Sequence, residues 1–314
     1  MQKKFALVAI LILIFVMTGC GGEKVADEKS SSVFCEVTDD AGRKITLEKK
    51  PERIVTVSAS FLEPLNAVGG KVVGRPSSKT KTPDFAKDAA EIGPVYQIDT
   101  EKLLSLSPDL VLINKGMNER LSTILEENKI SFAVVDMKTY DNVKKNVVMF
   151  AEITAQPDKG KKIVEEMDLK IKNVVDKLPK ENKKVAILHG TSQGLSVQLE
   201  GSIAGNVAKI LGWENVASSM TAADDKTDTA PYSLETLIEQ NPEIIFVTTM
   251  GNLEEIKNNL EKDFAENPAW QTIPAVKNNQ LYYLPQDLFL LSPGINYPDA
   301  VEYMAKLIYP EAFK

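Results

Sequence analysis

Two α/β lobes that follow one another and are joined by a single long helix are what this 314-residue sequence predicts. Three observations carry the prediction. Short, continuous β-branched runs alternate with helical patterns from Cys35 to about Ala155, and continuous apolar strands between helices mark a parallel sheet covered on both faces. The same alternation begins again after Lys183. Between the two, Ile163, Met167, Ile171, Val174 and Leu178 recur every three or four residues on a segment otherwise full of Lys, Glu and Asp, the stripe of an amphipathic helix.

Taken in order, the chain opens with Lys3 and Lys4, an apolar run from Phe5 to Met17, and then Thr18-Gly19-Cys20. That is the three-part layout of a secretory signal, and the apolar run is too short to span a bilayer comfortably. Met17-Thr18-Gly19-Cys20 resembles the lipobox of bacterial lipoproteins, matching at Gly19 and Cys20 and departing at Met17, where leucine is preferred. The resemblance implies that residues 1–19 are a lipoprotein signal peptide and that Cys20 carries the lipid. The alternative is an ordinary signal with an incidental cysteine. The polar segment Gly21 to Ser32 makes residues 20–34 the expected lipidated, flexible tether. The expected location is the extracytoplasmic face of the cell membrane, through a lipid anchor.

With Cys20 lipidated, Cys35 has no partner, so a core rather than a disulfide must hold the exported part together. Removing residues 1–19 leaves 295 residues and, without Lys3 and Lys4, moves the net charge from -7 to -9. The length suits about two domains with sizeable cores. The acidic balance argues against a nucleic-acid partner, which needs a basic face.

In the first lobe, residues 35–155, the pattern predicts strands over Arg53–Val57, Lys71–Gly74, Asp109–Ile113 and Phe132–Val135, and helices over Phe61–Val68 and Glu119–Asn128. The linker, residues 156–180, carries a helix from about Asp158 to Leu178 that Pro179 ends. One rigid helix between two lobes would limit how far they hinge. In the second lobe, residues 181–314, the strands are Val185–Leu188 and Ile244–Val247 and the helices Ile203–Leu211 and Leu253–Leu260.

Gly190-Thr191-Ser192-Gln193-Gly194 fits the G-x-S-x-G nucleophile elbow of serine hydrolases directly after a strand. An elbow needs a helix after the serine, but Leu195 to Leu199 alternates like a strand. It also needs a later histidine, and the only histidine, His189, comes earlier. The glycines are expected to make a hairpin turn. A single histidine also leaves no cluster for a bare zinc or manganese site. There is no Walker loop and no G-x-G-x-x-G. The chain is expected to be no enzyme and to need no catalytic cofactor. A two-lobed receptor that closes on a small molecule is the simplest use of such a chain.

Val37-Thr38-Asp39-Asp40-Ala41-Gly42-Arg43, Pro51-Glu52-Arg53-Ile54-Val55, Pro108-Asp109-Leu110-Val111-Leu112, Asn241-Pro242-Glu243-Ile244-Ile245 and the run from Trp270 to Asn279 stand in one order along the chain. Together they resemble the ABC-transporter substrate-binding proteins for ferric siderophores, haem and cobalamin. The resemblance covers essentially the whole mature chain. It implies two Rossmann-like lobes joined by one long linker helix, with a ligand cleft between them. It also implies an ABC permease as partner, a monomer, and docking through one glutamate on each lobe. Glu63 and Glu235 stand at the matching positions, where exposed carboxylates could steer docking. The alternative for each is that it merely solvates its helix.

The run from Val73 to Lys79, continued through Glu91-Ile92-Gly93-Pro94, is most similar to the haem receptors of the Gram-positive iron-regulated surface determinant system. Those hold haem iron between a methionine in the loop after E-I-G and a histidine in the second lobe. Carried over by position, these fall on Tyr96 and Met250. Tyrosinate and thioether are both known axial ligands of haem iron. A tyrosine beside a proline turn can also simply pack its ring, and a methionine after a strand can be core. For the haem propionates, Lys79 and Lys81 and the segment Ser58, Ala59, Ser60 are candidates. His189 is a reserve candidate for iron or a propionate, or a hydrogen-bonded histidine at a strand end. Tyr232 is a further cleft candidate. A ferric siderophore or cobalamin is the alternative cargo. Arg75 and Arg120 alone are available for the charge of a catecholate complex, and stacking aromatics for cobalamin are few.

Overall fold

A computed structural model describes residues 33–78, 82–222 and 228–314. The chain first forms a hairpin of β1 (Cys35–Thr38) and β2 (Lys44–Leu47). The first lobe's sheet follows: β3 (Ile54–Thr56), β4 (Val72–Ser77), β5 (Ala90–Pro94), β6 (Leu110–Asn114) and β7 (Phe132–Val135). Its order is β5-β4-β3-β6-β7, and every pairing is parallel. Helices α1 (Leu62–Ala67), α2 (Thr100–Ser105) and α3 (Leu121–Glu127) connect these strands. Helix α4 (Tyr140–Ile153) then leads to the linker α5 (Pro157–Val175), which occupies most of the expected span.

The second lobe has β8 (Lys184–Thr191), β9 (Gly194–Gln198), β10 (Glu214–Asn215), β11 (Thr229–Pro231), β12 (Ile244–Met250) and β13 (Leu281–Tyr283). Its helices are α6 (Ile203–Ile210), α7 (Leu234–Gln240), α8 (Leu253–Glu266), α9 (Pro274–Lys277), α10 (Gln286–Phe289) and α11 (Tyr297–Ile308). The expected repeat of the first lobe holds only in part, because this sheet is mixed. The strands β8, β10, β12 and β13 run parallel, while β9 and β11 pair antiparallel at one side. The physical reason is the tight turn after Thr191, which sends the chain straight back beside β8. No helical crossover intervenes, and a parallel neighbour would need one.

Strand residues alternate between two cores. Leu110, Leu112, Val185, Ile187 and Phe246 enter one continuous core shared by both lobes, together with α4, α5, α6 and α11. Their neighbours Val111 and Ile113 line a private core of the first lobe, and Ala186, Leu188, Ile245 and Val247 one of the second. This two-sided burial is what the continuous apolar runs encode.

The linker does not join the lobes alone. Tyr297, at the start of α11, is fully buried, and its hydroxyl lies 3.1 Å from Lys138 O and 3.0 Å from Asn206 Oδ1. Asn206 Oδ1 also accepts from Tyr140 N–H at 2.9 Å. Ser292 Oγ donates to Met137 O at 2.6 Å, and its N–H donates to Ser60 Oγ at 3.1 Å. Helices α4 and α5 meet where a Cβ on Gly160 would lie 2.4 Å from Ala151 Cβ. Glycine is needed there despite costing a helix roughly 1 kcal/mol.

Candidate functional site

In open parallel sheets, ligands bind beyond the carboxyl ends of the strands. Tyr96 stands at that end of β5. Gln97 N–H donates to Pro94 O at 2.8 Å, so Pro94 to Gln97 is a β-turn with Tyr96 at its third position. Gly93 enters the turn at φ +90°, where a Cβ would meet Gln97 O at 2.7 Å. Tyr96 is 69% exposed. Asn118 Nδ2 donates to Val95 O at 2.7 Å and Arg120 Nη2 to Tyr96 O at 3.1 Å. Met117, in the loop after β6, is also exposed.

In the second lobe His189 lies inside β8 rather than at its end, because the strand continues to Thr191. Its Nδ1 is 2.9 Å from Thr248 Oγ1, and that hydroxyl donates to Leu188 O at 3.2 Å. If the hydroxyl gives its one proton to Leu188 O, Nδ1–H is the donor toward it and Nε2 keeps its lone pair. Burial pushes the imidazole pKa below its ordinary 6.5, which keeps the ring neutral near pH 7. His189 pairs with Thr248, and Thr191 with Met250, in parallel register. Residues two apart share a face, so His189 and Met250 lie on the same face of the sheet. Met250 is 53% exposed at the end of β12, followed by exposed Leu253. Gln286 Nε2 holds this loop through Thr249 Oγ1 at 2.9 Å and Gly251 O at 3.2 Å.

The remaining candidates fall as follows. Ser58 Oγ accepts from Ser60 N–H and caps the short turn before α1, while Ser60 Oγ is engaged by Ser292. Tyr232 stacks on Trp270 at 6.1 Å within the second lobe's private core, its hydroxyl buried without a protein partner. Desolvation there raises its pKa, and nearby Asp263 adds to this. It is packing rather than cleft lining. Arg75 is buried, donating to Ala86 O and Pro76 O and pairing with Glu91, so it is no cleft cation. Glu63 and Glu235 are exposed in the first turns of α1 and α7. Ser192 stands in the hairpin turn between β8 and β9, not at a strand-to-helix elbow. Cys20, Lys79 and Lys81 lie outside the described residues.

Sequence reasoning missed Thr248, Gln286, Asn118 and the pair Lys138–Asp228, which bonds the loop after β7 to the residue before β11. Desolvation raises the Asp228 pKa, and Lys138 opposes that. Each acts on a residue far away in sequence, so no spacing pointed to it. Among the described residues no group of His, Cys, Asp and Glu could hold a metal ion, and no helix is long and apolar enough to cross a membrane.

The family model described as periplasmic binding protein matches residues 54–288. The chain is 29% identical, over all of both chains, to the uncharacterized ABC transporter substrate-binding lipoprotein YvrC of Bacillus subtilis (strain 168). An ABC transporter substrate-binding protein from Listeria monocytogenes EGD-e superposes with a TM-score of 0.74 at 27% identity, covering 83% of this chain and 100% of that one. Staphylococcus aureus IsdE, solved in complex with heme, superposes with a TM-score of 0.72 at 25% identity, covering 82% and 98%.

Proposed function

The chain belongs to the periplasmic binding protein family and is an extracytoplasmic ABC transporter substrate-binding protein, and from that premise we propose that its cargo is haem. One observation carries the reading. Of the eight large apolar side chains exposed among the described residues, four (Tyr96, Met117, Met250 and Leu253) stand at or just beyond the carboxyl ends of β5, β6 and β12. Exposed apolar side chains at the carboxyl edges of both sheets suit a flat, largely apolar ligand. A catecholate siderophore complex calls instead for clustered free arginines, whereas Arg75 is buried and Arg120 is bonded to Tyr96 O.

Tyr96 would ligate the iron from the first lobe. The shared face of His189 and Met250 would oppose it from the second, with the neutral Nε2 of His189 the better donor to ferric iron than a thioether. Lys115, exposed after β6, joins Lys79, Lys81 and the Ser58 to Ser60 segment as a partner for the propionates. Under the same reading Cys20 carries the lipid anchor, and Glu63 and Glu235 meet the permease of the importer.

The test is an absorbance titration of the full chain, carrying Cys20→Ser, with ferric haem. A saturable Soret band at one equivalent, altered by Tyr96→Phe, is expected. Absence of a saturable band sinks the haem reading and moves hydroxamate siderophores and cobalamin to the front.

A further inference from the structure

Two consecutive backbone carbonyls in the Tyr96 turn are held by side chains from one neighbouring loop. Val95 O accepts from Asn118, and Tyr96 O accepts from Arg120. We infer that Asn118 and Arg120 form a backbone clamp that presents the Tyr96 phenol as a pre-organised ligand-binding group. The inference rests on the reading of Tyr96 as facing the cargo.

Strand order makes this contact more than one between neighbours. β4 and β3 lie between β5 and β6 in the sheet, a gap of about 14 Å at the usual strand spacing. The turn after β5 therefore leans across the carboxyl edge of the lobe to reach the loop after β6. Asn118 is itself anchored, since its N–H donates to Asn114 O, at the end of β6, at 3.0 Å.

Asn118 also bears a cost in holding that carbonyl. It is 1% exposed, and its Oδ1 finds no protein partner. Turning the amide over would aim Oδ1 at Val95 O, so the carbonyl of the turn dictates the orientation and leaves the acceptor unpaired. A buried unpaired polar atom is destabilising, so Asn118 keeps its bond to the turn at the expense of its own acceptor. The result is an exposed phenol on a turn whose carbonyls are bonded at two successive residues. That arrangement lowers the ordering cost of binding.

The experiment uses the full chain carrying Cys20→Ser, with ferric haem as probe, and the variants Asn118→Leu and Arg120→Gln. Asn118→Leu is expected to raise hydrogen exchange of the Gln97 amide, without ligand, by about tenfold. It should also weaken haem about tenfold and reduce the tyrosinate spectral signature. In a Tyr96→Phe background the affinity effect should disappear, because the clamp acts only through Tyr96. If Asn118→Leu does not fold, Arg120→Gln, on an exposed side chain, carries the same readouts with smaller shifts.

Unchanged Gln97 exchange in the folded variants overturns the clamp even if haem binds. Raised exchange with no loss of affinity or signature overturns its presenting role. If the parent shows no Soret band, the haem reading fails separately, and Gln97 exchange still decides whether the clamp exists.

Discussion

The first lobe's sheet is wholly parallel and carries its exposed tyrosine on a turn beyond a strand end, while the second lobe's sheet is mixed and keeps its histidine within a strand. Side-chain donors to its backbone carbonyls hold the tyrosine turn, whereas burial and a single hydroxyl hold the imidazole. The difference follows from topology. Parallel strands must return by long crossovers, which leaves their carboxyl ends free for loops. The hairpin after Thr191 occupies that end of β8, so on the proposed reading the second lobe meets its ligand through strand side chains. Two lobes of similar plan thus hold their proposed ligand-facing groups by different physical means, and they should respond differently to substitution and to pH.

The largest effect is expected where the lobes are alike. Glu63→Lys combined with Glu235→Lys should abolish stimulation of the transporter's ATPase while leaving ligand affinity intact. Unchanged stimulation would remove docking from the account, and full loss from one reversal alone would make the lobes unequal there too.

At the iron the lobes should separate. Tyr96→Phe and His189→Ala should each weaken ferric haem by roughly 10- to 100-fold, on the scale of one lost axial bond, whereas Met250→Ala should leave the spectrum nearly unchanged. A spectrum that moves with Met250→Ala but not His189→Ala would hand the second ligand to the thioether.

Thr248→Val tests how the imidazole is held. Losing the hydroxyl should cost about 1 kcal/mol of stability and broaden the haem spectrum by freeing the tautomer. A Tm and spectrum identical to the parent would show that burial alone orients the ring.

The smallest effect is a pH slope. Because burial lowers the His189 pKa from 6.5, the unfolded chain binds a proton that the folded one does not, and stability falls as pH drops below 6.5 toward the folded value. Asp39 in the first lobe works in a lower window. Desolvation raises its pKa, but hydrogen bonds from Val134 N–H and from the Arg43 side chain and backbone outweigh this and leave it below 3.8. Its contribution is present above 3.8 and lost as pH falls through the folded value. Urea midpoints at pH 7.5 and 5.5 should differ less in His189→Gln than in the parent. Equal differences would count against a buried neutral imidazole.

Much of the architecture could be read from the sequence because its signals are local and repeat. Apolar runs at Leu110 and Ile244, the 3–4 stripe of the linker and the alternation after Gly194 each follow from whether side chains face one core or two. The same locality located the Tyr96 turn beside Pro94 and dismissed the elbow at Ser192. The tertiary structure alone decided which of these groups are free. Asn118 meets Val95 across 23 positions, His189 meets Thr248 across 59, and Tyr297 meets Lys138 across 159. Likewise only packing turned Tyr232 inward onto Trp270 and buried Arg75. Such pairings depend on strand order and register, which the shared core sets for the chain as a whole and no single stretch of sequence can carry.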